Sequence, residues 1–164
     1  MVSINAFATG RCACGESSYR IMSAPLIVHC CHCSWCQRET GSAFAINALI
    51  ERDRVETGTA ALEVTRRPSA SGEGQIVHSC RRCNTVLWSH YAYAGIGEKV
   101  AFIRCGSLDD PTLAPPDVHI FTSTRQSWIE LPTTALVYEE YYRAKDVWSE
   151  DSLNRRSALY NHGN

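Results

Sequence analysis

The stretch that constrains this protein most reads Cys31-His32-Cys33-Ser34-Trp35-Cys36. It places three thiols within six residues, and cysteine thiolates are common ligands of zinc. Two further pairs lie on either side of it in the chain: Cys12-Ala13-Cys14 and Cys80-Arg81-Arg82-Cys83. Cys30 and Cys105 lie outside these groups, and we expect both to be small buried side chains rather than ligands.

The overall composition is that of a soluble globular protein, with 45% hydrophobic and 20% charged residues in 164. Its 16 basic and 17 acidic residues nearly cancel, which gives no support for a nucleic-acid or anionic-membrane partner. The first ten residues do not resemble a signal segment, and no apolar run is long enough to span a bilayer, so we expect a cytoplasmic protein. Cytosolic thiols are kept reduced and nine is an odd number, so the cysteines are expected to bind metal.

The outer cysteine pairs are predicted to form one closed zinc site. Cys80 and Cys83 follow a predicted strand, and a Cys-x-x-Cys turn at a hairpin tip presents two sulfurs to one metal ion. One such turn supplies only two ligands, and Cys12 and Cys14 are the natural candidates for the other two. Four thiolates leave no open position, so this site is predicted to be structural, with its binding energy contributing to folding.

The middle group is predicted to form a different kind of site. Cys31, Cys33 and Cys36 supply three ligands and leave one tetrahedral position open, which is typical of catalytic zinc. Three thiolates make the site formally anionic. Such a site is a poor Lewis acid but keeps a bound thiolate nucleophilic, which favours thiol chemistry over hydrolysis.

Spacing alone leaves alternatives open. The cysteines could form a disulfide framework, or only one structural zinc could be present with the other clustered cysteines unused. The middle site could also be a second structural zinc closed by His29, His32 or Cys30. Against this, side chains alternate along an extended strand, so Cys30 is expected to point away from Cys31.

Short segments rich in β-branched and aromatic residues predict a mainly-β fold with little helix. The predicted strands are residues 18–21, 26–29, 43–50, 61–66, 75–79, 86–93, 100–104 and 118–122. A short helical turn is predicted after Cys36, ending near Gly41. A second helix is predicted over residues 135–148, where apolar residues recur at helical spacing.

Four groups of residues form a recognisable set: Gly10–Gly15, Cys31–Phe44, Cys80-x-x-Cys83 with Leu87-Trp88, and the turn Gly106–Pro111 with His119-Ile120 and Trp128. This set resembles the motifs of the glutathione-dependent formaldehyde-activating (GFA) family, also called the CENP-V/GFA domain. The resemblance runs from about residue 10 to about residue 128, with the motifs in the family's order.

The resemblance implies a β-tent fold, in which small antiparallel sheets are organised around zinc. Around the matched part we expect a single domain over residues 1–164, with a partly helical C-terminal extension at 135–164. The resemblance also implies two zinc ions per chain. The structural zinc would be held by Cys12, Cys14, Cys80 and Cys83, and the catalytic zinc by Cys31, Cys33 and Cys36.

The implied activity is that of a carbon–sulfur lyase or synthase. Glutathione would join formaldehyde or another small aldehyde to give an S-hydroxymethyl adduct. Arg38 and Arg125 are candidates to bind the carboxylates of glutathione, and His119 and Trp128 are candidates to line the pocket.

Three departures from the family pattern leave the electrophile undecided. They are Gln37-Arg38 where a basic pair is frequent, Trp35 between two ligands, and Cys30 as an additional thiol beside the site. The alternatives are a zinc-stabilised binding module without catalysis and a related enzyme acting on another thiol adduct. A binding module would have no use for the middle cysteines. The sequence leaves open whether the chain forms a homo-oligomer.

Overall fold

The structure, a computed structural model, describes residues 6–91 and 97–161, which form eleven β-strands and two α-helices. In chain order these are β1 (Ala8–Arg11), β2 (Ser18–Ile21), β3 (Ile27–Cys31), α1 (Ser34–Thr40), β4 (Ala45–Glu51), β5 (Val55–Thr57), β6 (Leu62–Arg67), β7 (Gln75–Cys80), β8 (Val86–Tyr91), β9 (Val100–Arg104), β10 (Val118–Ile120), β11 (Leu136–Val137) and α2 (Glu150–Asn161). The prediction of a mainly-β fold with little helix is confirmed.

The strands form one small and one large sheet. The small sheet has the antiparallel order β1-β2-β5, and the large sheet has the order β11-β10-β3-β4-β9-β8-β7-β6. In the large sheet β10 runs parallel to both β3 and β11, whereas the other pairs are antiparallel. Parallel pairing requires a long connection, and the chain between β3 and β10 provides one. The large sheet therefore has more strands, and more mixed strand directions, than the small antiparallel sheets that the resemblance implied.

All eight predicted strands coincide with observed ones, and their ends differ by at most two residues. Residues 92–93 of the predicted strand 86–93 lie outside the described residues. The strands that were not predicted, β1, β5 and β11, have two to four residues each. Segments this short carry too little alternation to be recognised from sequence.

The prediction of a helix over residues 135–148 is wrong. This segment contains β11 and a short 3-10 turn, Ala144–Asp146, and its backbone pairs with the chain around β10: the N–H of Tyr138 donates to the carbonyl of His119 at 2.9 Å. Its aromatic residues match a helical period, but tertiary contacts bury Tyr142 and Trp148 and leave Tyr141 43% exposed. The second helix begins later, at Glu150. Neither helix in the described ranges is long and apolar enough to cross a membrane.

The buried residues form two clusters, one on each face of the large sheet. The first cluster packs the small sheet against the large one, with the rings of Tyr19 and Trp88 5.7 Å apart and edge to face. The second lies under the C-terminal segment and includes Tyr142 and Trp148. All five residues of β3 are buried, and alternation directs Val28 into the first cluster and Cys31 into the second.

Candidate metal centres and the adjoining cavity

The four cysteines of the outer pairs come together between the two sheets. The Sγ atoms of Cys12 and Cys14 are 3.5 Å apart, and those of Cys14 and Cys80 are 3.8 Å apart. These three sulfurs and that of Cys83 all lie within 4.8 Å of one another. Zinc–sulfur bonds of about 2.3 Å in a tetrahedron require sulfurs about 3.8 Å apart, so this donor set fits zinc.

Hydrogen bonds around this cluster favour the thiolate forms of Cys80 and Cys83, and the thiolate is the metal-binding form of cysteine. The backbone N–H of Ser17 donates to the Sγ of Cys12 at 3.2 Å. Hydrogen bonds from the hydroxyl and backbone N–H of Thr85 lower the pKa of Cys83 to about 5. The pKa of Cys80 is also lowered, chiefly by a hydrogen bond from the side chain of Ser17.

The middle cluster is built by the end of β3 and the first turn of α1. Cys31 is the last residue of β3, Cys33 caps α1, and Cys36 is buried within the first turn of this helix. Their three sulfurs lie within 4.8 Å of one another, which fits three corners of a zinc tetrahedron. The helix ends near Gly41, as predicted, and this glycine caps it in a left-handed conformation with φ of 64°. The predicted start was wrong, because the helix begins at Ser34 and includes Cys36.

Cys33 has the environment of a thiolate in this cluster. Hydrogen bonds from the thiols of Cys31 and Cys36 lower its pKa, and the backbone N–H of Cys36 also donates to its sulfur. All nine cysteines are free, so the structure contains no disulfide framework.

The middle cluster lines an open cavity of about 380 Å³. Five aromatic side chains also line it: Trp35, Tyr91, Phe102, Phe121 and Tyr141. Its polar lining comes from His29, Asn47 and Ser71. Among the described residues, no Asp, Glu, Lys or Arg lines this cavity.

Hydrogen-bonded groups hold the polar side of the cavity in place. The Nε1–H of Trp148 donates to the oxygen of Tyr142 at 2.7 Å, and the hydroxyl of Tyr142 is hydrogen-bonded to Nε2 of His29 at 2.6 Å. Burial lowers the pKa of His29 to about 4. Arg104 donates to Oδ1 of Asn47 at 2.8 Å, so the amide oxygen faces the arginine and the amide NH₂ is directed away from it.

The same arginine also anchors helix α1. Arg104 forms an ion pair of 3.0 Å with Glu39, and both side chains are about nine-tenths buried. Gln75 donates to the other carboxylate oxygen of Glu39 at 2.7 Å. The helix that carries Cys36 is thereby tied to two strands of the large sheet.

The predicted substrate-binding residues do not line this cavity. Arg38 and Trp128 line a separate groove of about 530 Å³ together with Gln37 and Gln126. Ser34, Gln37, Arg38 and Gly41 share one face of α1, whereas Cys33 and Cys36 lie on the other. Helix α1 therefore separates a polar groove from the aromatic cavity.

His119 joins a third group of donors. Its Nδ1 is 3.0 Å from Nε2 of His32, which is itself 3.5 Å from the Sγ of Cys30. The positive charge of Arg125 contributes, after burial, to lowering the pKa of His119. None of the three residues considered as a fourth ligand joins the cluster around Cys31. Cys30 and His32 belong to the third group, and His29 is hydrogen-bonded to Tyr142. Cys105 is buried, as expected.

Sequence reasoning missed most of the cavity wall, because its residues come from separate elements and share no local motif. His29 could have been placed there, because it lies two residues before Cys31 and side chains two apart on a strand share a face. Nothing local indicated Asn47, Phe121 or Tyr141.

The fold and these clusters define a mainly-β protein with two separate cysteine groups that could each hold a metal ion. A family model described as glutathione-dependent formaldehyde-activating enzyme matches residues 7–124. The chain belongs to this family, as the motifs indicated. No curated protein matches the chain significantly in sequence.

One similar solved structure is the crystal structure of a Rhodobacter sphaeroides protein from a structural genomics programme. It is 17% identical, with a TM-score of 0.46, and the alignment covers 62% of this chain and 87% of that one. At that level the likeness supports no inference about function.

Proposed function

We propose that this protein is a zinc-dependent carbon–sulfur lyase or synthase that joins glutathione to a small aldehyde. Membership of the family supports glutathione-dependent aldehyde chemistry. The observation that carries the proposal is the group of three cysteines, Cys31, Cys33 and Cys36, on the wall of an open cavity. A binding module would need only the closed four-cysteine site.

In this proposal the two clusters hold zinc for different purposes. Cys12, Cys14, Cys80 and Cys83 hold a structural ion that joins the N-terminal loop to the β7–β8 hairpin. Cys31, Cys33 and Cys36 hold the second ion and leave one position open. Zinc bound there would lower the pKa of a substrate thiol, so that its thiolate exists at neutral pH.

The reaction itself is an addition. The thiol sulfur forms a bond to the carbonyl carbon, the carbon–oxygen π bond breaks, and the thiol proton ends on the oxygen. The aromatic walls exclude water from this step and hold the two reactants near each other. The NH₂ group of Asn47, oriented by Arg104, is proposed to donate a hydrogen bond to the carbonyl oxygen.

Glutathione is proposed to place its charged ends in the groove on the other side of α1. Arg38 lines that groove, and its guanidinium suits a carboxylate. Gln37 and Gln126 supply amides there, and Trp128 supplies an exposed ring. Because His119 lies with His32 in a separate group, we assign it no contact with glutathione.

The test combines metal content with catalysis. The zinc-to-protein ratio is measured before and after a mild chelator, and exchange between free glutathione and its formaldehyde adduct is followed by ¹³C NMR. The expected result is two zinc ions, one of them easily removed, with accelerated exchange only when both are present.

One tightly held zinc, with no second ion after reduction and zinc addition and no accelerated exchange, would support a binding module instead.

A further inference from the structure

The cavity beside Cys31, Cys33 and Cys36 is much larger than formaldehyde needs. Its volume is about 380 Å³, whereas one water molecule in the liquid takes up about 30 Å³. An aldehyde with two non-hydrogen atoms would leave most of this space to water. Cavities of several hundred Å³ are typical of sites that enclose a larger organic ligand.

The walls of the cavity favour an apolar group. Five aromatic rings line it, and among the described residues no Asp, Glu, Lys or Arg side chain does so. Moving the carboxylates or the ammonium group of glutathione into such surroundings is unfavourable without a partner of opposite charge. Arg104, which donates to Asn47 on the cavity wall, is already paired with Glu39 at 3.0 Å. The group that fills the cavity is therefore unlike glutathione.

Phe121 indicates that the aromatic lining is maintained against a conformational cost. Its φ of 54° lies in the left-handed region, which is unfavourable for a bulky residue and common for glycine. Backbone hydrogen bonds hold it there: its N–H donates to the carbonyl of Glu140, and the N–H of Thr122 donates to that of Tyr138. Strained residues held in this way concentrate at ligand sites.

Part of the wall comes from beyond the family match. The match ends at residue 124, whereas Tyr141 lines the cavity and its ring centroid lies 6.0 Å from that of Phe121. Tyr142 and Trp148 fix the same segment against His29. The aromatic cavity thus depends on residues that the matched region does not include.

From these observations we propose that the aldehyde substrate carries an aromatic ring or an apolar group of similar size, which occupies this cavity. The inference rests on the proposed function and specifies its electrophile. The addition is balanced as before: the glutathione sulfur bonds to the carbonyl carbon, and the thiol proton ends on the oxygen of the hemithioacetal.

The test compares two aldehydes on the zinc-loaded protein. Exchange between 4-fluorobenzaldehyde and its glutathione hemithioacetal is measured by ¹⁹F NMR, and formaldehyde exchange by ¹³C NMR. We expect kcat/KM for the aromatic aldehyde to exceed that for formaldehyde by at least about 10-fold. As a readout independent of turnover, the ¹⁹F line of 4-fluorobenzyl alcohol should broaden on binding.

Phe121→Gly is the discriminating variant, because glycine accepts the observed φ and the ring is removed without imposing backbone strain. It should lower the ratio of kcat/KM for the aromatic aldehyde to kcat/KM for formaldehyde by about 10-fold and abolish the broadening, while the zinc content stays at two ions per chain. Tyr160→Ala, which removes an exposed ring on α2 away from the cavity, should change none of these.

The outcomes separate the two proposals. If formaldehyde exchange is accelerated but aromatic exchange is not, or if Phe121→Gly affects both aldehydes equally, the substrate inference is overturned and the proposed function stands. If neither exchange is accelerated by protein that contains two zinc ions, both are overturned.

Discussion

The backbone N–H of Cys36 donates a hydrogen bond to the Sγ of Cys33 over 3.3 Å, so one proposed zinc ligand also caps the helix that carries another. The cap positions the two sulfurs through a single local turn. Because the same turn begins α1, the open site and the start of the helix are formed together.

The two cysteine clusters are expected to differ when one ligand is removed. Cys83→Ala should lower the free energy of unfolding strongly, by more than about 3 kcal/mol, because structural zinc contributes directly to folding. Cys33→Ala should lose one zinc ion per chain but keep its circular dichroism spectrum. Metal analysis and thermal unfolding test this. If the two variants behaved alike, the division into structural and catalytic sites would be wrong.

Glu39→Gln is expected to destabilise the protein by about 3 kcal/mol, because it removes one partner of a buried ion pair and leaves Arg104 unpaired. Urea unfolding measures this. Glu56→Gln is the matched control, since its pair with Arg20 is 2.7 Å long but exposed and should cost less than about 1 kcal/mol. Equal effects would contradict the anchoring role of Glu39.

Tyr142→Phe is expected to cost about 2 kcal/mol, because it leaves the buried groups of His29 and Trp148 without their shared partner. The measurement is equilibrium unfolding. Tyr138→Phe is the control, because the hydroxyl of Tyr138 has no hydrogen bond within the described ranges. The two rings are close, with centroids 5.3 Å apart, so similar losses would mean that ring packing rather than the hydroxyl matters.

Asn47→Leu is expected to reduce the exchange rate by about 100-fold, since it removes a donor proposed to stabilise the substrate oxygen. Zinc content should stay at two ions per chain. A variant with an unchanged rate and full metal content would remove Asn47 from the mechanism.

The pair of Glu51 and Arg155 predicts a pH dependence of stability. Burial raises the pKa of Glu51, but the hydrogen bonds and charge of Arg155, 2.6 Å away, outweigh it and lower this pKa below 4.5. Since the folded pKa is lower than the unfolded one, the stabilisation is complete above pH 4.5 and is lost as pH falls through the folded pKa.

Arg155→Met should therefore cost about 3 kcal/mol near pH 7 and progressively less below pH 4.5. Urea unfolding of the variant and the wild type at several pH values gives this difference. Arg143→Met, at an exposed ion pair, should show a small difference at every pH. A difference for Arg155→Met that did not shrink on acidification would contradict the assignment.

Features encoded by neighbouring residues could be predicted from sequence. The separation of Cys80 from Cys83, and of Cys33 from Cys36, indicates chelation because a short turn alone brings such sulfurs together. The end of α1 at Gly41 follows from the ability of glycine to adopt a left-handed conformation. Eight strands could also be predicted, because the alternation and β-branched residues that favour a strand lie within a few neighbouring positions.

Other features depended on contacts between distant parts of the chain. The sequence offered Cys12 and Cys14 only as the natural partners of Cys80 and Cys83. The packing of the two sheets is what brings the Sγ atoms of Cys14 and Cys80 to 3.8 Å. Residues 135–148 satisfy a helical period, but burial of Tyr142 and Trp148 against β3 stabilises an irregular segment instead.

The cavity wall likewise combines a strand, a strained turn and the C-terminal segment, through Asn47, Phe121 and Tyr141. Local spacing determines which cysteines can share a metal ion, because a chelating turn needs only neighbouring residues. Tertiary packing decides what faces that ion, because the energy of burying an aromatic ring depends on surfaces that come from elsewhere in the chain.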